Sequence, residues 1–170
     1  MADFRLPRYR ELPNVGLYLE QVVQYVNSSL EPLGVPSLTA SMVGNYVKQG
    51  LIPNPIKKRY FAEQLAYLMF VSLAKSVLTI DNLCLFIQMQ QRTYDVPTAW
   101  DYLCDQMEMA LGYTFGLIDT LEDTGVTESE EKAMLRYCVI AMTNVVYLNK
   151  CFEGVRDKTD VAYPESSELD

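Results

Sequence analysis

The chain has 170 residues, 49% of them hydrophobic, and a formal net charge of −8. This length allows one domain or two small ones with a sizeable buried core. Because the sequence has neither a membrane-length apolar run nor the apolar segment of a secretory signal after "MADFRLPRYRELP", we predict a cytoplasmic protein without membrane contact.

Several catalytic signatures are missing from the sequence. There is no histidine, which removes the commonest general base and the commonest transition-metal ligand. The phosphate-binding and nucleophile patterns GxGxxG, GxxxxGK[ST] and GxSxG do not occur. The four cysteines form no CxxC pair, and we interpret them as small buried apolar side chains: Cys84, Cys104, Cys138 and Cys151. We therefore predict that the chain is not an enzyme and holds no metal or cofactor.

Charge is distributed unevenly along the chain. Residues 1–94 carry nine basic and six acidic side chains, whereas residues 95–170 carry five basic and sixteen acidic ones. No acidic residue occurs from Pro32 to Ala62, where the charges are Lys48, Lys57, Lys58 and Arg59. A local basic patch is typical of a phosphate-binding surface, so the two halves are expected to differ in function.

The first predicted unit, residues 15–92, begins with two short helices. In "VGLYLEQVVQYVNSSL" apolar residues recur at helical spacing, and Pro32, Gly34 and Pro36 then end the helix. Thr39 is a suitable N-cap for a second helix that runs to about Gln49. Gly50 follows where a helix C-terminus favours a residue that tolerates the left-handed conformation.

The second helix has two contrasting faces. One face is apolar and is expected to join the core: Met42, Val43, Tyr46 and Val47. The opposite face is small, amide-bearing or cationic: Ser41, Gly44, Asn45 and Lys48. Such a face suits a DNA groove, because an amide can pair with adenine and a lysine can reach guanine or phosphate. The alternative is an ordinary solvated helix face.

The segment "LIPNPIKKRYF" follows the second helix. Pro53 and Pro55 prevent a helix here, and the short "IKKRYF" run can adopt extended structure with three consecutive cations. Helical spacing resumes in a third, very apolar helix from about Ala62 to Val77. Thr79 and Asp81 then begin a fourth helix, "IDNLCLFIQMQQR".

The second predicted unit, residues 95–152, consists of two more helices. The first begins at about Asp95, and the second follows a capping-box pattern of Thr127 and Glu130 and runs to about Phe152. Their apolar faces can pack on each other and on the first unit, or they can form a dimer interface. Aromatic and methionine residues here can line a ligand pocket, although at helical spacing they more often belong to a core. Residues 153–170 are predicted to be a disordered acidic tail.

The run from Thr39 to Ile87 resembles the DNA-binding domain of MerR-type transcription regulators. The resemblance is carried by "GLIPNP" at the turn into a wing, "KRY" at its exit, and the apolar run "LAYLMFVSLAKSVLTIDNLCLFI". Over its whole length the chain is similar to a family of small uncharacterised bacterial proteins with a MerR-like N-terminal region, through "LTASMVGNYVKQGLIPNP".

This resemblance implies an all-α fold, with a winged helix-turn-helix followed by a helical C-terminal region. By resemblance the second helix is the recognition helix and carries Asn45, Tyr46 and Lys48, with Asn45 where the family has arginine. Lys57, Lys58 and Arg59 match its basic wing, which is shorter here.

The sequence thus predicts a homodimeric regulator that binds double-stranded DNA through the following residues: Ser41, Asn45, Tyr46, Lys48, Lys57, Lys58 and Arg59. The alternative is a protein-interaction module that has kept the fold without DNA binding, which the sequence pI near 4.6 favours.

Overall fold

The computed structural model describes residues 4–120 and 129–159. Over these residues the protein is helical, and no strand is formed beyond two isolated bridges between Leu17 and Tyr60 and between Ile56 and Arg59. The prediction of an all-α fold is confirmed. Six α-helices follow in chain order: α1 (Leu19–Leu30), α2 (Ala40–Lys48), α3 (Ala62–Ala74), α4 (Ile80–Thr93), α5 (Val96–Thr114) and α6 (Glu130–Thr159). Short 3₁₀ helices cover Tyr9–Glu11 and Glu31–Leu33.

Helix starts lie where capping residues predict them. The Thr39 hydroxyl accepts a hydrogen bond from the Met42 amide at 3.2 Å and so caps α2. Thr79 and Asp95 cap α4 and α5 in the same way. Each cap satisfies an amide that the helix itself leaves without a partner. For α6, Ser129 accepts from the Lys132 amide at 3.3 Å; Thr127, the predicted cap, lies outside the described residues.

Helix α3 is the centre of the core. Every residue from Gln64 to Ala74 is buried, so the helix has no solvent-facing side beyond its first turn. It packs against α1 on one side of the molecule and against α5 and α6 on the other. The helix ends at Ala74, three residues before the predicted end, and a turn through Lys75 leads to α4.

One hydrophobic cluster joins the two predicted units. It includes Leu6 near the N-terminus, Val43 in α2, Met107 in α5 and Val146 in α6. Helices α5 and α6 pack extensively on each other as well. Burying apolar surface contributes roughly 25 cal/mol per Å², so this shared core is the main source of stability.

Helix α6 is longer than the sequence predicts. It continues to Thr159, so residues 153–159, predicted to start a disordered tail, form its last two turns. An ion pair of 2.9 Å joins Lys150 Nζ to Glu153 Oε2, and Arg156 Nε donates to the Phe152 carbonyl at 3.3 Å. These local contacts favour helix over disorder. Residues 160–170 lie outside the described part of the chain.

Within the described ranges, no helix combines the length and the apolar character needed to cross a membrane.

Candidate nucleic-acid interface

The connection between α1 and α2 is fixed by one side chain. The Asn27 amide nitrogen donates to the Leu38 carbonyl at 2.9 Å, and its carbonyl oxygen accepts from the Leu38 amide at 2.7 Å. Gly34 adopts a φ of 63° in this connection, which glycine tolerates without a steric penalty. The start of α2 is therefore held at a defined position relative to α1.

The outward side of α2 carries three of the four contact residues predicted on this helix. Ser41, Asn45 and Lys48 are exposed, and we call them the outer face of α2. Tyr46 is different, because its side chain is only 6% exposed and lies in the core, where burial raises the pKa of its hydroxyl. Tyr46 thus lies on the buried side of α2 together with Val43, and its predicted place among the DNA-contacting residues is wrong.

The chain from α2 to the next turn is anchored by buried residues. Gly50 has a φ of 75°, and Leu51 and Ile52 are buried. Gln64, itself buried in α3, then holds both ends of the following segment: its amide nitrogen donates to the Asn54 carbonyl at 3.1 Å, and its oxygen accepts from the Phe61 amide at 2.7 Å. Sequence reasoning missed Gln64, although a lone amide in an apolar helix could have indicated such a role.

Residues Ile56–Arg59 form a two-residue hairpin, which we call the lysine hairpin. The backbones of Ile56 and Arg59 exchange two hydrogen bonds of 2.9 Å, and the central residues Lys57 and Lys58 have φ values of 49° and 63°. Positive φ at both central positions defines the type I′ turn, which strongly prefers asparagine, aspartate and glycine. The left-handed conformation costs other residues roughly 1–2 kcal/mol each. Lys57 and Lys58 are therefore exposed residues in a backbone conformation that is unfavourable for lysine.

The base of the lysine hairpin rests on the segment before α1. Leu17 and Tyr60 exchange backbone hydrogen bonds of 2.8 and 2.9 Å. Arg59 donates to the Tyr18 hydroxyl at 3.1 Å, with its guanidinium 5.0 Å from the centre of the Tyr18 ring. A Cβ at Gly16 would lie 2.8 Å from Arg59 side-chain atoms, so only glycine fits there without a shift. These long-range contacts of Gly16 and Tyr18 have no local sequence signal.

The cations of this region have no acidic partner among the described residues. Lys48, Lys57, Lys58 and Arg59 form no ion pair there, in contrast to Arg5 and Arg8 near the N-terminus. The absence of acidic residues from Pro32 to Ala62 accounts for this. The hairpin and the outer face of α2 thus present positive charge that local carboxylates do not neutralise.

Cys104 and Cys138 are buried as predicted, whereas Cys84 is partly buried and Cys151 is exposed, so the prediction of four buried cysteines is wrong for Cys151. Desolvation raises the pKa of Cys104 to about 12 and that of Cys138 to about 11, so both remain neutral thiols near pH 7. Among the described positions, no three residues of the types histidine, cysteine, aspartate and glutamate lie close enough together to hold a metal ion.

Over the described residues, these observations define a helical protein with an exposed basic hairpin that has no acidic partner there, and with a polar outer face on α2. The family model described as a domain of unknown function, DUF1836, matches residues 7–105, more than half of the chain. The chain therefore belongs to this family. No curated protein and no solved structure matches the chain.

Proposed function

We propose that the chain is a MerR-like transcription regulator that binds double-stranded DNA with a helix-turn-helix and a short wing. Helices α1 and α2 are the helix-turn-helix, and the lysine hairpin is the wing. The observation that carries the proposal is the pair Lys57 and Lys58 in positive-φ positions at an exposed tip. Unfavourable backbone conformations cluster at functional sites, and here the two residues that adopt them are cations without an acidic partner among the described residues.

In this proposal the hairpin binds phosphates and α2 enters the major groove. Lys57 and Lys58 supply sequence-independent attraction to the backbone. Asn45 is the candidate for base readout, because its amide can donate to and accept from one adenine edge. Ser41 and Lys48 flank Asn45 on the same exposed side and are assigned to base or phosphate contacts. Tyr46 supports the helix from the core and is not part of the proposed contact surface.

We propose that α6 makes the protein a homodimer. Met134, Tyr137 and Leu148 are exposed large apolar residues on this helix, with exposed fractions of 42%, 72% and 53%. With Ala141 and Asn144 they follow a spacing of three and four residues, which is the pattern of a two-helix coiled coil. A second copy of α6 would cover this stripe, and a dimer would place two α2 helices on two half-sites.

A second candidate function is a protein-interaction module that has kept the helix-turn-helix fold. The overall charge of −8 favours it, because DNA-binding domains tend to be basic. Screening weakens this objection, since charges farther than about 10 Å from the phosphates contribute little at 0.1 M salt. The lysine hairpin lies in a region without acidic residues, so we rank DNA binding first.

The test is fluorescence anisotropy with a pool of short genomic duplexes at several salt concentrations. We expect binding that tightens steeply as salt falls. Replacing Lys57 and Lys58 by alanine should weaken binding to all sequences and reduce the slope of log affinity against log salt by about 1.8, because each lost phosphate contact removes about 0.9.

The matched control replaces Arg92 and Lys158 by alanine. Both side chains are exposed and lie outside the proposed surface, and their loss changes the net charge equally. The control should bind as the parent does. Equal weakening of DNA binding in both variants would mean that the hairpin lysines act only through the net charge. Absence of binding at low salt would favour the protein-interaction module.

A further inference from the structure

A cavity of about 190 Å³ lies between α3, α4, α5 and the first turns of α6. It is separate from the lysine hairpin and from the outer face of α2. Its walls are strongly aromatic, with rings from all three of the first helices and from the α4–α5 connection: Tyr67, Phe70, Phe86, Tyr94, Trp100 and Tyr102. The cavity is partly open to solvent, so a ligand can enter it from outside.

Several polar groups in and beside the cavity wall bond to one another. The Tyr67 hydroxyl donates to Gln90 Oε1 at 3.1 Å and accepts from Gln91 Nε2 at 3.1 Å. Gln90 Nε2 donates to the Tyr94 carbonyl at 2.7 Å. With these groups paired, the wall offers a ligand mainly aromatic and aliphatic surface. Charged groups border the cavity at the start of α6.

Two charged residues of α6 border the cavity, and they differ in their surroundings. Glu131 accepts from the Thr93 hydroxyl at 3.4 Å, and hydrogen bonds from the backbone and from Ser129 lower its pKa. Lys132 has its Nζ 5.6 Å from the centre of the Tyr102 ring and forms no ion pair with a described residue. The ammonium group of Lys132 is therefore the charged group available to a ligand.

The size of the cavity limits the ligand. An engineered cavity of about 150 Å³ lined by apolar side chains binds benzene. A volume of 190 Å³ thus accommodates one aromatic ring with a small substituent. Aromatic walls favour an aromatic guest through edge-to-face and offset contacts, and an ammonium group with no acidic partner among the described residues favours a carboxylate.

We propose that this cavity binds a small aromatic carboxylate, with the ring among the aromatic side chains and the carboxylate on Lys132. The ring would cover the aromatic wall, and the carboxylate would provide the acidic partner that Lys132 lacks among the described residues. The site is assigned from the cavity alone and does not depend on DNA binding.

The first experiment uses phenylacetate as the probe and the protein without DNA. Trp100, the only tryptophan of the chain, lines the cavity and reports binding by fluorescence. Ligand-observed saturation-transfer NMR gives a readout that does not depend on a spectral change. We expect saturable binding of phenylacetate, about tenfold weaker binding of the neutral 2-phenylethanol, and weaker binding still of phenethylamine.

Variants locate the site. Lys132→Gln should weaken phenylacetate binding about tenfold and leave 2-phenylethanol unaffected, whereas Lys158→Gln on the same helix should change neither. Ala99→Leu, which places extra volume at the cavity wall, should weaken both ligands. Because Lys132 lies at the border, its variant should fold even where the volume change at Ala99 is not tolerated.

Three results would overturn the proposal. The first is the absence of saturable binding by both methods at millimolar phenylacetate. The second is equal affinity for the acid, the alcohol and the amine. The third is an affinity for the acid that Lys132→Gln does not change. Each of these results would leave the cavity without the carboxylate specificity that defines the proposed site.

Discussion

Basic residues occur in two regions of the first half of the chain, and the structure uses them in opposite ways. In the arginine segment, residues 4–12, Arg8 forms a bidentate ion pair with Glu108 at 2.8 and 2.9 Å and a further bond of 2.7 Å to Asp105. In the lysine hairpin, Lys57 and Lys58 have no such partner among the described residues. In the arginine segment, Arg8 is paired with carboxylates of the same molecule. In the lysine hairpin, the two lysines are available to an external anion.

The two regions also differ in how their backbone is held. The arginine segment is fastened to α5 by hydrogen bonds from Leu6 to Glu108, from Tyr9 to Asp101 and from Trp100 Nε1 to the Pro7 carbonyl. The lysine hairpin instead holds two residues in unfavourable conformations. Whether a basic residue stabilises the fold or is available for binding is thus indicated by its partners and not by the number of basic residues. The following predictions test this contrast between the two regions.

The largest expected effect is on the arginine segment. Arg8→Ala should lower the free energy of unfolding by roughly 2–3 kcal/mol, because it removes charge-assisted hydrogen bonds and leaves Glu108 short of partners. The exposed Arg10 in the same segment is the matched control, and Arg10→Ala should cost less than about 0.5 kcal/mol. Urea unfolding measures both. Equal effects of the two substitutions would mean that the Arg8 ion pairs contribute little stability.

The next effect has the opposite sign. Lys58→Gly should raise the free energy of unfolding by about 1 kcal/mol, because glycine adopts the φ of 63° without a steric penalty. Lys58→Ala is the control, since it removes the charge but keeps the Cβ that causes the strain. Both variants should bind DNA more weakly in the anisotropy assay, and only the glycine variant should be more stable. A glycine variant less stable than the parent would show that the turn is not strained.

The smallest expected effect is on the pH dependence of stability, to which Glu11 of the arginine segment contributes. The backbone hydrogen bond from Arg8 lowers the pKa of Glu11 below its ordinary value of 4.5, with the Arg5 and Arg10 charges acting in the same direction. A lowered pKa in the folded state stabilises the protein above pH 4.5, and this contribution is lost as the pH falls through the folded value. The lysine hairpin contains no carboxylate, so it makes no contribution of this kind.

Urea unfolding of the parent and of Glu11→Gln between pH 7 and pH 3 tests this difference. Glutamine keeps an acceptor for the Arg8 amide but cannot titrate. The stability of the parent should fall more steeply on acidification than that of the variant. Parallel profiles of stability against pH in the two proteins would show that Glu11 does not contribute to the loss of stability in acid.

The parts of the fold that local chemistry determines could be predicted from the sequence. Thr39, Thr79 and Asp95 cap helices because a side-chain oxygen reaches an amide three residues later, which is a purely local relation. The burial of Val43 followed from helical periodicity in the same way.

Features that depend on distant parts of the chain could not be predicted. The ion pair between Arg8 and Glu108 joins residues a hundred positions apart. The type I′ turn at Lys57 and Lys58 was hidden because its sequence lacks the residues that normally indicate it. The MerR-like interpretation and the DNA contacts remain predictions for the anisotropy assay.

The all-round burial of α3 has a consequence for dissecting the protein. The region that matches the family ends at residue 105, inside α5, and leaves out α6. Because α3 packs on α5 and α6 as well as on α1, a fragment cut at that point would uncover apolar surface on its central helix. The helices beyond the matched region therefore complete the core that supports the lysine hairpin, and a fragment without them would lack part of that core.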